Sequence, residues 1–267
     1  MNRIVAVLLV LLGGASYGLI SPAVKMAYDA GFSTGDVTSS QYFFAMAMLV
    51  VLALFQILRA KRITRRELLL LVVLGLMSTG TSVFYYLALF DLPASLGIVL
   101  LFQFTWIVML IDFLVTRNRP TPIKWAALVM IFIGTLLAVD LFHTEWTDVS
   151  PMGLVLGLLS SVTYSAFLYL TGYVKKESSP IVNSAVISIA STITVSFVFP
   201  PTFLWNGSLG EGLWVWALVI GFLGQVLPPV CFNIGIPVVG GSLAGVLGAI
   251  ELPVAVIAAW MILKEQV

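Results

Sequence analysis

The sharpest chemical signal is a single acid in an apolar run. Glu251 sits in Ile250-Glu251-Leu252-Pro253, and the stretch 240–263 contains no other charge. A carboxylate in such surroundings must be protonated or paired, and intramembrane acids mark function by default. It can exchange protons with the two sides of a membrane, or anchor a substrate ammonium. The plainer alternative is a packing glutamate bonded to a neighbouring helix. Pro253 removes a backbone donor and loosens the helix at that point.

Other polar and aromatic groups in apolar surroundings are candidates to act with it. Gln103 can both donate and accept, and Trp106 offers a flat ring with one donor. With Tyr85-Tyr86 they are expected to line an amphipathic pocket; helically spaced aromatics that simply pack are the alternative. Tyr17 and Tyr164 make a matched pair suited to a pocket or gate. Gln225 and Asn233 flank Pro228-Pro229, which must kink or break a helix and free carbonyls. Lys25 and Asp112 lie close enough to span ends to reach the interface. Small residues four apart, Gly14/Gly18, Gly153/Gly157/Ser161 and Gly241/Gly245, allow close helix approach.

Several chemistries are excluded by residue count. One cysteine (Cys231) and one histidine (His143) cannot build a disulfide framework or a cysteine–histidine metal centre within one chain. No cofactor or metal is therefore expected. A net charge of +1 gives no reason to expect nucleic acid. No Gly-x4-Gly-Lys-Ser/Thr phosphate loop is present, so ATP is not the direct energy source within this chain. An intramembrane enzyme needs a base or metal ligands beside a nucleophile, and the acids in the spans are scattered singly. No enzymatic activity is expected.

The elements that position these residues are membrane helices. Only 9% of residues are charged, against about 25% in a soluble domain, and mean hydropathy is +1.10. Apolar stretches reach the ~20 residues that cross a bilayer core. Nothing resembles the alternating segments of a barrel, so helices remain. Nine spans are expected, near 4–27, 37–58, 67–90, 93–115, 122–141, 151–174, 180–199, 212–233 and 238–263. Met1-Asn2-Arg3 and the apolar run behind it superficially resemble a signal peptide, but the run continues past Ile20 and reads as an uncleaved first span. Eleven of the thirteen basic residues lie at the N-terminus, 59–66, 117–124 and 175–176. The intervening loops 28–36, 90–92, 142–150 and 200–211 hold none. That asymmetry places the N-terminus in the cytoplasm, and Trp146, Trp205, Trp214 and Trp216 mark the opposite interface.

The second half faintly echoes the first at an offset of 147 residues. Leu11-Leu12…Tyr17 returns as Leu158-Leu159…Tyr164, and Ser95-Leu96…Val99-Leu100 as Ser242-Leu243…Val246-Leu247. Loop charges change sides between the copies. The basic run Arg59, Lys61, Arg62, Arg65, Arg66 faces a segment near 206–213 free of Lys and Arg, and the acidic loop Asp29–Asp36 faces Lys175-Lys176. Such an exchange is the mark of inverted membrane repeats. The expected fold is thus an all-α, polytopic helix bundle of two inverted five-helix repeats, residues 1–145 and 146–267. In repeat phase the counterpart of the fifth helix falls beyond Val267, so the chain reads as one helix short, either truncated or a natural nine-span form.

The motifs Gly13-Gly14-Ala15-Ser16-Tyr17-Gly18, Tyr86-Leu87-Ala88-Leu89, Ser242-Leu243-Ala244 and Ile250-Glu251-Leu252-Pro253, closing with Leu263-Lys264-Glu265, carry a resemblance. In that order they resemble the drug/metabolite transporter superfamily, in its ten-helix branch with two EamA-type repeats. Lys264 departs from the usual Gly-Glu ending. The resemblance implies a multi-pass carrier of the cytoplasmic membrane working by alternating access, with spans one to four and six to nine around a central cavity. It also implies partners among small organic solutes, amino acids or similar amphipathic molecules, commonly exported. The absence of mid-span arginine or lysine disfavours multiply charged phosphate esters. Proton is the candidate coupling ion through Glu251, with a multidrug or organic-cation exporter and a non-transporting scaffold as alternatives. A monomer or weak homodimer in the lipid bilayer is expected.

Overall fold

The computed structural model describes residues 2–57, 63–92, 94–117, 120–138, 150–175 and 179–263. Arg59, Lys61 and Arg62, His143 and Trp146, Lys176 and the closing Lys264-Glu265 lie outside them. The described residues contain helices and no strand.

The chain opens with α1 (Arg3–Gly18), whose first turn is capped by the Asn2 side chain accepting from the Ile4 amide. After a break at Leu19 the same span continues as α2 (Ile20–Asp29). α3 (Thr34–Ile57) returns across the bundle, and α4 (Arg65–Asp91) starts on a reciprocal Thr64/Glu67 capping box. α5 (Ala94–Phe102) and α6 (Phe104–Thr116) form one span interrupted at Gln103. α7 (Pro122–Ala138) follows. α8 (Pro151–Thr171) and α9 (Pro180–Val198) each begin with a serine cap and a proline in the first turn, where the missing N–H costs nothing. The next span is pieced together from a π turn (Leu209–Leu213), α10 (Trp214–Gly221), a second π turn (Phe222–Val226) and α11 (Leu227–Val239). The last is α12 (Gly241–Gly248), α13 (Glu251–Ala258) and a π turn (Ala259–Leu263).

Eight helical runs among the described residues are long and apolar enough to cross a membrane. The fifth expected span is a shorter apolar helix over Pro122–Gly134, its 139–141 end lying outside the described residues. The eighth runs to Val239 rather than 233, because the turn that ends it is made by Gly240 at φ +86°, a left-handed conformation open to glycine. The ninth accordingly begins at Gly241.

Large apolar side chains cover the outside, with Phe197 84%, Ile123 81% and Phe55 77% exposed. A bilayer, not water, is the solvent for such a surface. Inside, α4 packs along α8 and α9, α1 along α11, and α3 along α9 and α10. Glycines make the tightest of these contacts. A Cβ on Gly18 would lie 2.5 Å from the Glu251 carbonyl oxygen, and one on Gly241 would lie 2.7 Å from the Tyr169 Cα. Lipid offers no hydrophobic drive between helices, so such close van der Waals approach is what holds them.

One polar cluster ties the two halves of the chain at the end away from the basic loops. The buried Asp36 carboxylate accepts from Ser33 Oγ (2.9 Å), Thr202 Oγ1 (2.8 Å) and Asn206 Nδ2 (2.9 and 3.0 Å). At the opposite end Lys175 Nζ meets Glu67 at 2.9 Å, and Ser179 Oγ donates to Gln56 Oε1 at 2.8 Å.

Candidate functional site

A cavity of about 530 Å³ opens within the bundle, and helical spacing explains which residues line it. On α4 the sequence Ser78-x-x-Thr81-Ser82-x-x-Tyr85-Tyr86 places hydroxyls along one face at three- and four-residue steps. From α1 and α2 come Tyr17, Lys25 and Tyr28, with Ile20 and Val24 between them. Gln41 reaches in from α3, Tyr164 and Phe167 from α8, and Gln225 from the π turn before α11. Glu251 enters from the first turn of α13.

Two helix breaks set the acid and the amide. The span carrying Glu251 stops at Gly248 and restarts at Glu251, so the carboxyl projects from an interruption near mid-span. At Gln225 the cause is the proline pair. In the π turn the Leu227 amide donates to the Phe222 carbonyl. The next donors in that ladder would be Pro228 and Pro229, which have no N–H. The freed Leu223 carbonyl is taken instead by Ser16 Oγ of α1, at 2.6 Å. The break thereby docks α1 while turning Gln225 toward the cavity.

Aromatic rings close the cavity beneath Glu251. Tyr164 packs edge-on against Phe104 (4.6 Å between centroids) and Tyr17 (6.4 Å), and stacks on Phe167 (6.3 Å). Tyr17 in turn meets Phe232 at 5.9 Å. The polar wall is stitched by Tyr42 donating to Ser82 Oγ (2.9 Å) and by the Thr81–Thr163 hydroxyl pair (3.1 Å). Among the described residues, the Glu251 carboxyl has no hydrogen-bond or ion-pair partner. The cavity thus offers one uncommitted acid, a ring of tyrosines, several hydroxyls and two amides, with Lys25 also in its lining.

The structure brings Tyr17, Tyr85, Tyr164, Gln225 and Glu251 together and leaves four candidates elsewhere. Gln103 and Trp106 do not share a pocket with Tyr85-Tyr86. Their place is a separate cleft of about 210 Å³ against Leu128, Val129 and Phe132 of α7. Trp106 Nε1 donates to Gln103 Oε1 (2.7 Å), and Gln103 Nε2 donates to the Val99 carbonyl (2.9 Å). The interruption at Gln103 sets the register: Phe104, Ile107 and Val108 face the core, which turns 103 and 106 outward. Asn233 is buried away from the cavity and donates to Ser184 Oγ at 2.8 Å. Asp112 stands near Lys124 (3.9 Å) at the basic end. The residues that sequence reasoning missed are Gln41 and the hydroxyl face of α4, and their helical spacing was the available signal. Among the described residues no group of three or more His, Cys, Asp or Glu could hold a metal ion.

A cavity holding an acid inside a bundle of membrane helices defines a class of polytopic membrane proteins, and comparison with known proteins narrows it. Residues 4–139 match the EamA-like transporter family, and the chain belongs to that family. It is 24% identical over 199 residues to the "Uncharacterized transporter sll1319" of Synechocystis sp. (strain ATCC 27184 / PCC 6803 / Kazusa). That match covers 71% of this chain and only 59% of the relative's length. A solved crystal structure covering 97% of this chain and 88% of its own superposes with a TM-score of 0.75 at 16% identity, which bears on the fold alone.

Proposed function

We propose that the protein is a secondary carrier that moves a small amphipathic organic solute bearing an amino group, an amino acid or a similar metabolite, across the cytoplasmic membrane. The observation that carries this is the Glu251 carboxyl, without a hydrogen-bond or ion-pair partner among the described residues, in a cavity lined mainly by tyrosines, hydroxyls and amides with Lys25 also present. Burying a lone acid is unfavourable unless a proton or a cation joins it. A solute ammonium and a proton compete for one carboxylate, which makes the site an exchanger of the two. Tyrosine faces around it suit the apolar body of such a solute or its cation. The volume falls within the range of pockets that enclose small molecules.

Alternating access follows from the repeat reading. Helix contacts pair under the 147-residue offset: α4 with α8 answers α1 with α11, and α3 with α9 answers itself. The lining runs from Tyr17, Gln225 and Glu251 to Tyr28 and Thr34 beside the 30–33 turn, away from the basic loops. With basic loops in the cytoplasm, the cavity faces outward, and proton entry there drives solute export. A multidrug or organic-cation exporter uses the same acid and differs only in the solute.

The test is a thermal-shift screen of purified protein in detergent against amino acids, amines, nucleosides and common drugs. A ligand at 100 times its Kd stabilises by about 2.7 kcal/mol. Stabilisation by amino-bearing solutes that Glu251→Gln removes is the expected outcome. Stabilisation by anionic solutes instead, undiminished in Glu251→Gln, would overturn the reading, and silence throughout would favour a non-transporting scaffold.

A further inference from the structure

A second polar surface lies sealed in the half of the bundle nearer the basic loops. Asn183, Ser184, Ser188, Ser191 and Thr192 share one buried face of α9. Part of this face is paired across helices. Ser191 Oγ donates to the Gly75 carbonyl (3.1 Å), and Thr192 Oγ1 donates to the Tyr42 carbonyl (3.1 Å). Toward α11 the pairing is incomplete. Asn233 Nδ2 donates to Ser184, yet Asn233 Oδ1 and Ser188 Oγ have no partner among the described residues, although both residues are at least 95% buried. Buried polar atoms left unpaired are unfavourable, and a sequence that keeps them needs a state in which they are satisfied.

The repeat offset identifies that state. Ser188 is the counterpart of Gln41 and Asn233 the counterpart of Tyr86. Gln41 and Tyr86 both line the open cavity. Gln225 and its counterpart Ser78 both line it as well. The α3–α4 wall of the open half therefore corresponds to the α9–α11 seam of the closed half. Two bonds at the basic end, Lys175 to Glu67 and Ser179 to Gln56, hold α9 and its neighbours shut.

We infer that the α9–α11 seam, with Ser184, Ser188 and Asn233 as its polar lining, is the second half of the solute path, opening toward the basic loops when the present cavity closes. This rests on the carrier reading of Glu251 and its cavity. In the alternate state water and the amphipathic solute satisfy Ser188 Oγ and Asn233 Oδ1, on a wall that answers the one Gln41 and Tyr86 now give the open cavity.

The experiment uses single cysteines in a Cys231→Ser background and a charged, membrane-impermeant maleimide applied to either face of sealed vesicles. Lys175→Cys reports the basic face and Thr34→Cys the cavity face. Ser188→Cys, a near-isosteric change, and Asn233→Cys are expected to react from the basic face only. With the open-seam state populated at ~0.1–10%, they react about 10- to 1000-fold more slowly than Lys175→Cys. Ile187→Cys, a buried neighbour on the same helix, stays unreactive and so excludes local unfolding. Reaction from the cavity face, or none in vesicles that carry out solute flux, would overturn the inference while leaving the carrier intact. Sided labelling without flux of any tested amino acid or amine would uphold the seam and sink the substrate reading.

Discussion

Gly18→Ala tests whether glycine packing positions the acid. Gly18 ends α1 where α13 restarts, and an added Cβ would meet the Glu251 carbonyl oxygen at 2.5 Å, with the Ala255 amide nitrogen and the Val254 Cβ each at 2.9 Å. The closest contact falls 0.9 Å short of the 3.4 Å at which ordinary van der Waals contact begins. Two of these three atoms are backbone, so no rotamer change relieves the overlap. α1 and α13 must separate, and overpacking of this kind costs about 1–3 kcal/mol. Gly134 on α7 is the matched control, because nothing lies within 4 Å of its added Cβ. There alanine gains about 0.5–1 kcal/mol of helix propensity instead. Thermal unfolding in detergent is therefore expected to shift down for Gly18→Ala and to hold or rise for Gly134→Ala. Because the displaced carbonyl belongs to Glu251, ligand-induced stabilisation should shrink in the first variant and persist in the second. Equal unfolding temperatures and equal ligand shifts for Gly18→Ala and wild type would refute the packing argument.

Other positions give sharper single outcomes. Tyr164→Phe keeps the ring contacts with Phe104 and Phe167 and deletes a hydroxyl with no partner among the described residues. Its unfolding temperature should match or exceed wild type, the gain being on the order of 1 kcal/mol; a clear drop would mean the hydroxyl is paired. Trp106→Ala removes a residue from the cleft against α7 rather than from the cavity, so solute-induced stabilisation should survive it and fall with Tyr85→Ala. A larger loss in Trp106→Ala would relocate the binding site. Asp36→Asn leaves one acceptor oxygen for Ser33, Thr202 and Asn206 and puts a donor amide in place of the other, and should cost about 1.5–3 kcal/mol and expose the 199–208 segment to protease. Unchanged protease resistance would show that the cluster does not fasten that segment.

How far the sequence could be read follows the physics of each element. Glu251 announced itself because a charge in an apolar run has no other account, and Pro228-Pro229 because two missing donors must interrupt a helix. Gln103 and Trp106 were placed wrongly relative to Tyr85-Tyr86 because facing depends on a break in the helix. Gln103 lies next to the repeat counterpart of Glu251, but the interruption at that residue turns it toward α7. Which face of a membrane helix meets lipid is poorly written in the sequence, since core and bilayer both accept leucine. On α4 the signal was present but was read only at Tyr85-Tyr86: Ser78, Thr81 and Ser82 continue the same face at three- and four-residue steps. The Asp36 cluster joins residues about 170 positions apart, and no local pattern announces it.

The most direct test of the account is solute flux into proteoliposomes under an imposed pH gradient, using an equimolar panel of amino acids and small amines, for wild type and Glu251→Gln. The account predicts that wild type accumulates at least one amino-bearing solute against its gradient when protons run the opposite way. Glu251→Gln should lose that drive while unfolding at a similar temperature. Accumulation of the same solute, with the same pH dependence, in both proteins would contradict it.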